Sequence, residues 1–348
     1  MPELLLDGTP VGDKQPGYLI GEIGHNHGGN VENAKLIMRL LEQAGWNAVK
    51  LQKRSNRSLY TRAEYDKNYE SDRSYGATYG AHREFLEFDR DEYRELQDYA
   101  NDLRLTFFAT PFDRESVDFL EDLNVPLYKI ASASITNLLL LEHVAQTGKP
   151  LIVSTGGAGL EDIHRAHDAI WPLNKYVALL QCTAAYPCPP EYANLGRIPV
   201  LRREFPDAVI GLSDHQNGIS LAIAAYAMGA RIFEKHVTYS RAAKGTDHGF
   251  SLEREGLRKL ARDMRRVFLA SGNEEQPFDI EREPIRKMAQ AVYPVRALSA
   301  GETLSEEVLS LKSPGEGLPA WKWQRAMGKK LKRAYGAEEP LSSADWEV

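Results

Sequence analysis

The sequence predicts an α/β protein built as a (β/α)8 barrel, a TIM barrel, followed by a small β-rich module. Three observations carry that prediction. Short β-branched or aromatic runs of the kind that form buried strands recur eight times. Helix-length amphipathic stretches follow most of them, and strand then helix repeated over about eight strands is the barrel pattern. A polar segment containing Gly and Pro, SGNEEQPFD from Ser271, then separates these units from a turn-rich tail.

In chain order the strand runs are YLIGEI from Tyr18, AVKLQ from Ala48, TFFAT from Thr106, LYKI from Leu127, PLIVST from Pro150, VALLQC from Val177, AVIGLS from Ala208 and RIFEKH from Arg231. The helical stretches run from Glu32 to Ala44, Arg114 to Leu123, Asn137 to Gln146, Leu160 to Ile170, Gly218 to Met228 and Leu252 to Leu269. An open doubly wound sheet normally carries a GxGxxG turn after its first strand. Here IGHNHGGN stands in that place, which favours the closed barrel. Between the second strand and its helix lies an insertion from about Lys53 to Arg90, with Tyr60, Tyr65, Tyr69, Tyr75 and Tyr79 among alternating charges. That is too aromatic for ordinary disorder, so an ordered cover near the barrel mouth is expected. The predicted organisation is a barrel over 1–272, a linker over 273–283 and a module over 284–348. In the module, AVYPVRA, SAGETL and SLKSPGEGLP read as short strands and turns, and WKWQRAMGKK as helix-like.

The 348 residues carry 43 Lys+Arg against 49 Asp+Glu, a net charge of −6, with 43% hydrophobic and 26% charged residues. No Lys/Arg block stands out, which argues against a broad nucleic-acid footprint and leaves room only for local anion binding. No window approaches the ~20 apolar residues of a membrane span. The three leucines near the start are too few for a signal peptide core, so a cytoplasmic protein is expected. Cys182 and Cys188 form neither a CxxC pair nor a zinc set and are expected as free thiols.

Barrel active sites are built from the C-terminal ends of the strands. Here those ends are polar: Glu22, Lys50 with Gln52, Thr110, Lys129 with Ser132, Ser154 with Thr155, Gln181 with Thr183, Ser213 with His215, and Glu234 with His236. Lys50 and Lys129 interrupt apolar strands, and an unpaired buried ammonium usually faces an anion. Together with the hydroxyls of Thr110, Ser132, Ser154 and Ser213 they describe a cup for a small dianion such as phosphate. His215 and His236 end adjacent strands, and two neutral imidazoles suit a divalent metal, with Glu22 on the neighbouring first strand. The segment KGTDHGFSLE from Lys244 supplies Asp247, placed either to hydrogen-bond a polyol or to cap its loop.

GEIGHNHGGN with AVKLQK, TPF at Thr110, KIASAS at Lys129, STGG at Ser154, QCTAAYP at Gln181, GLSDH at Gly211, EKH at Glu234 and KGTDH at Lys244 together resemble the sialic acid synthase family. The tail, with SAGETL, SPGEGLP and MGKKL, is similar to that family's antifreeze-like (SAF, β-clip) module. The resemblance implies condensation of phosphoenolpyruvate with the open-chain aldehyde of a hexose, giving a nine-carbon 2-keto sugar acid and phosphate. It implies a divalent metal, Mn2+ or Mg2+, at His215 and His236, and Glu22 as a catalytic group orienting water. It carries phosphoenolpyruvate binding onto Lys50, Thr110, Lys129, Ser132, Ser154 and Ser213, and sugar binding onto Gln52, Tyr186 and Asp247. It also implies a domain-swapped homodimer. Two departures stand out: Ala184 where an Asn is usual, and Ala289, Gln290 and Ala291 where the tail module usually opens with Arg-Arg-Ser. The insertion SYGATYGAHREFLEF resembles the branch acting on 6-phosphorylated sugars, which makes Arg83, Lys53 or Arg57 candidates for a second phosphate. A related ulosonate synthase, a metal aldolase, or a noncatalytic polysaccharide or coat assembly protein on the same scaffold are the alternatives.

Overall fold

The computed structural model describes residues 2–272 and 275–346, so the first two positions of the predicted linker lie outside the described residues. The chain divides into two compact units, Met1–Ser271 and Gly272–Val348.

The first unit opens with a hairpin, β1 (Leu4–Leu6) and β2 (Thr9–Val11), and continues into eight parallel strands. These are β3 (Tyr18–Glu22), β4 (Ala48–Lys53), β5 (Thr106–Pro111), β6 (Tyr128–Ile130), β7 (Leu151–Ser154), β8 (Val177–Cys182), β9 (Val209–Asp214) and β10 (Ile232–His236). β10 pairs with β3, which closes the barrel. The outer helices are α1 (Val31–Ala44), then α2 (Asn56–Leu59), α3 (Arg62–Tyr65) and α4 (Tyr79–Phe85) in the insertion, and α5 (Arg90–Asp102). They continue with α6 (Arg114–Asp122), α7 (Leu138–Ala145), α8 (Leu160–Ile170), α9 (Arg197–Glu204), α10 (Ser220–Ala227) and α11 (Arg254–Ala270). All eight expected strands form. Helix α9 was not anticipated.

Alternation along the strands builds the interior in tiers. The lower tier is apolar: Tyr18, Ile20, Ala48, Phe108, Leu127, Ile152, Ala178, Leu180, Val209 and Ile232 form one cluster inside the barrel. Two residues further along the same strands, on the same inward face, stand Glu22, Lys50, Thr110, Lys129, Ser154 and Glu234, with Ser213 four residues beyond Val209. The intervening residues face outward onto the helices, which leaves no room for a side chain at Gly21, where a Cβ would fall 2.5 Å from Leu41. The same alternation turns Gln181 outward to the Ala193 carbonyl, and the Thr155 hydroxyl is spent on the Leu180 carbonyl. Those two strand ends are therefore structural.

The N-terminal leucines belong to this design. Leu4, Leu6 and Val11 join the inner cluster and close the barrel floor. The hairpin turns at Asp7 and Gly8, both with positive φ (47° and 78°), as a two-residue Asp-Gly turn requires.

The loop after β3 is held by buried polar contacts. Asn26 Nδ2 donates to the Val237 carbonyl and to Ser251 Oγ, each at 2.8 Å. His27 is buried against the Phe88 ring (4.2 Å between centroids), and its Nδ1 accepts from the Gly29 amide at 3.1 Å. Burial pushes its pKa from the ordinary 6.5 down to about 3, so the folded ring is neutral.

The insertion is ordered by aromatic packing: Tyr79 meets Tyr60 and Tyr69 edge-on at 5.1 and 5.4 Å, and Tyr75 stacks on Phe85 at 4.9 Å. The Tyr75 hydroxyl donates to the Lys244 carbonyl, tying the insertion to the KGTDH loop.

The second unit has α12 (Arg282–Met288), an antiparallel pair β11 (Ala291–Pro294) and β12 (Leu309–Lys312), and α13 (Trp323–Ala326). Its own core includes Val292, Leu298, Leu304, Leu309, Leu318 and Leu331. SAGETL forms a single bridge, Thr303 to Lys330, rather than a strand. The helix expected over WKWQRAMGKK shrinks to a 3-10 turn at Ala320–Lys322 and the four residues of α13, because Gly328 at φ 75° turns the chain. Among the described residues no helix is long and apolar enough to cross a membrane, and Cys182 and Cys188 are free.

Two expectations follow. Leu6→Ala empties part of the fully buried floor and should cost about 2–5 kcal/mol, read as a lower urea midpoint with an unchanged slope; an unchanged midpoint would contradict the plug. His27 takes up its proton only in the unfolded chain as pH falls from 6.5 towards about 3, so stability is full above 6.5 and is lost through that window. The loss approaches about 1.4 kcal/mol per pH unit from this group, and His27→Gln should flatten that slope in urea titrations between pH 7 and pH 4.

Candidate active site

At the C-terminal ends of the strands the barrel opens into a cavity of about 470 Å³. A larger groove of about 590 Å³ runs between the hairpin and α11, at the opposite ends of the strands, but the convergent carboxylate, ammonium and imidazole groups are all in the smaller one. The twelve residues given roles by the resemblance all line it: Glu22, His215 and His236; Lys50, Thr110, Lys129, Ser132, Ser154 and Ser213; Gln52, Tyr186 and Asp247. Ala184 also lines it, offering only a methyl group there.

The two lysines are not unpaired, contrary to expectation. Strand register sets Glu22 beside Lys50, and Lys50 Nζ lies 2.5 Å from Glu22 Oε2 while donating to Thr110 Oγ1 at 2.8 Å. Lys129 Nζ is 3.3 Å from Glu234 Oε1, which also lies 4.0 Å from Lys50 Nζ and accepts from Ser213 Oγ at 3.3 Å. All four charged side chains are almost fully buried, at 1–5% exposure. Desolvation of any one of them alone would be prohibitive, so each ammonium answers a carboxylate. Glu234, which sequence reasoning left without a role, is therefore central. It sits two residues before His236 on the same inward face, and the period of two was the available signal.

The two carboxylates are driven apart in proton affinity. Burial raises Glu22; Lys50 opposes that effect and the negative charge of Glu234 reinforces it, with a net upward shift. Burial acts upward on Glu234 as well, but Lys129 and Lys50 together outweigh it and hold its pKa down to about 2. Paired groups separated in this way divide into a proton carrier and a fixed charge. Gln52 Nε2 donates to Glu22 Oε1 at 2.5 Å and fixes its orientation. Burial also lowers Lys129.

The two imidazoles sit 5.5 Å apart, centroid to centroid. The His215 Nδ1 donates to the Thr183 carbonyl at 2.9 Å. His236 Nδ1 is buried without a hydrogen-bond partner among the described residues, 3.5 Å from Asp247 Oδ2. Burial lowers the His236 pKa, so its ring is neutral. Two imidazoles side by side are a donor set that would fit a divalent cation, although no group of three or more His, Cys, Asp or Glu is arranged as a metal site among the described residues. Tyr186 covers His215 at 4.0 Å between ring centroids, and Cys182 Sγ is 4.0 Å from His215 Nδ1.

Of the three basic residues considered for a second phosphate, Lys53 is paired with Glu87 at 3.1 Å beneath Phe119, and Arg57 is exposed beside Glu84. Arg83 reaches the cavity, joined there by Arg54, which was not anticipated.

The family model described as the NeuB family matches residues 37–276. The N-acetylneuraminate-9-phosphate synthase of Mus musculus is 37% identical over 329 residues, 94% of this chain and 92% of that protein. The N,N'-diacetyllegionaminic acid synthase of Legionella pneumophila is 34% identical over 333 residues, 92% of each. The solved structure of an N-acetylneuraminic acid synthetase from Leptospira borgpetersenii, in complex with citrate, superposes with a TM-score of 0.72 at 31% identity, covering 81% of this chain and 95% of that one. With a barrel of this topology, a cavity at its strand ends and relatives alike over nearly their whole length, the chain is an enzyme of the NeuB family, the family of the sialic acid synthases.

Proposed function

We propose that this enzyme adds phosphoenolpyruvate to the open-chain aldehyde of N-acetylmannosamine, its 6-phosphate or a related mannose derivative, forming a nine-carbon 2-keto-3-deoxy sugar acid and inorganic phosphate. The observation that carries the proposal is the buried set of two lysines and two glutamates beside two imidazoles in one cavity. Such a set offers ammonium groups to a small polyanion and a carboxylate able to hold a proton.

In this reading Lys50, Lys129, Thr110, Ser132, Ser154 and Ser213 hold the phosphate and carboxylate of phosphoenolpyruvate. Ser154 Oγ, buried without a partner, is free to donate. Gln52, Tyr186 and Asp247 hold the sugar. His215 and His236 are the ligands of Mn2+ or Mg2+, which when bound supplies Lewis-acid polarisation of the aldehyde. A carbon–carbon bond forms between C3 of phosphoenolpyruvate and the aldehyde carbon, whose oxygen takes a proton from solvent. Water adds at C2, giving one proton to Glu22, which returns it to solvent; the C2–O bond to phosphate then breaks as the C2 hydroxyl becomes the ketone and its proton leaves with the phosphate. The raised proton affinity of Glu22 suits that role, and Gln52 keeps the accepting oxygen aimed. Glu234 stays ionised and faces Lys129 at 3.3 Å and Lys50 at 4.0 Å. The assembly proposed is a cytoplasmic, domain-swapped homodimer whose second unit is an antifreeze-like module, without nucleic-acid or membrane partners.

Phosphate release from phosphoenolpyruvate tests this directly. Release should require one of these aldoses, fall to background with a chelator and return with Mn2+, and Glu22→Gln should lower kcat by about 100-fold or more. Release that ignores chelation would remove the metal from His215 and His236. No release with any aldose would refute the proposal.

A further inference from the structure

The strand-end lysines are paired with carboxylates, but the side of the cavity beneath the insertion holds two arginines without an ion pair among the described residues, and Glu87, the carboxylate acting on Arg54, is itself paired with Lys53. Arg54 continues the inward alternation of Ala48, Lys50 and Gln52 one step beyond β4 and is 7% exposed. Its guanidinium lies on the Phe112 ring at 3.7 Å and donates to Gln52 Oε1 at 2.6 Å, and its Nε is buried without a partner. Arg83, from α4, donates to His25 Nε2 at 2.7 Å and to the Tyr79 hydroxyl at 2.6 Å, and its Nε is likewise buried without a partner. Neither arginine is ion-paired to a carboxylate among the described residues. His25 adds no negative charge: burial and the two guanidinium groups keep its ring neutral. Arg54 is itself pulled below its ordinary range by burial and by the like charge of Arg83. One buried and one half-buried guanidinium group at the same cavity wall, each with a buried, unused Nε–H, form a costly arrangement that an incoming dianion relieves.

We infer that Arg54 and Arg83 form a second anion-binding pole of the cavity, which takes a phosphate carried by the sugar at the end remote from its aldehyde. The inference rests on the proposed condensation and narrows it, because the acceptor is then a sugar phosphate. The phosphate of phosphoenolpyruvate is the other source of the same chemistry. Gln52, which joins Arg54 to Glu22, belongs in that reading to the sugar side and sets the pole apart from the lysines.

Calorimetric titration of the full chain with N-acetylmannosamine, with its 6-phosphate and with phosphoenolpyruvate tests the assignment. The wild type should bind the phosphorylated sugar about tenfold or more tighter than the free sugar. Arg83→Gln should abolish that preference while leaving affinity for the free sugar and for phosphoenolpyruvate unchanged, and Arg83→Lys should keep part of it. Equal wild-type affinity for the two sugars, or an Arg83→Gln effect on phosphoenolpyruvate alone, would overturn the inference. The wild-type comparison does not depend on how any variant folds. Phosphate release with the same two sugars separates this inference from the reaction. Release with both at equal efficiency sinks the second pole but not the condensation, and a clear binding preference without release sinks the condensation but not the pole.

Discussion

Four opposite charges buried side by side, Glu22 with Lys50 and Glu234 with Lys129, are the constraint on which the rest of this barrel depends. A single charge at such depth costs several kcal/mol, and a paired set roughly breaks even with an apolar filling. The set therefore adds little to stability, and the barrel has to be held together elsewhere. The apolar tier directly below it, closed by the Leu4, Leu6 and Val11 floor, and the cluster between strands and helices provide that support. Strand register does the remaining work. His236 is aligned with Glu22 and Glu22 with Lys50, so three functional groups stand at one level without any loop having to position them.

The charge pattern within the cavity divides its labour. At the strand ends cations and anions balance, which allows lysines to persist at that depth and lets the two glutamates differ in proton affinity. Beneath the insertion the hydrogen-bond acceptors of the two guanidinium groups among the described residues are neutral, Gln52, His25 and the Tyr79 hydroxyl. A protein of net charge −6 thus keeps a cavity suited to polyanions, because the acidic excess lies elsewhere on the chain.

Much of this was legible in the sequence because a barrel strand has a period of two. Once the strand starts are known, Glu22, Lys50, Thr110, Lys129, Ser154 and Ser213 follow as inward residues above an apolar tier. Glu234 and Arg54 obey the same rule and were missed: Glu234 was read only as a neighbour of His236, and Arg54 stands just past its strand. The pairing of the lysines depends on register between strands distant in sequence, which local periodicity does not carry. Arg83 reaches the cavity from an insertion whose path is set by packing among tyrosines, and no spacing announces that. The N-terminal hairpin was missed as well, although Asp7 and Gly8 between Leu4–Leu6 and Val11 are its turn signal. The overlong helix expected in the tail reflects helical propensity overruled by a left-handed glycine at Gly328.

The central claim is that the buried lysine and glutamate set is the phosphoenolpyruvate site. Calorimetric binding of phosphoenolpyruvate to the full chain and to Lys129→Met measures it most directly. The account predicts that the wild type binds and that the variant, still folded by its melting curve, weakens binding by about 30-fold or more, the loss expected for a buried charged contact. Equal affinity of a folded Lys129→Met for phosphoenolpyruvate would contradict it.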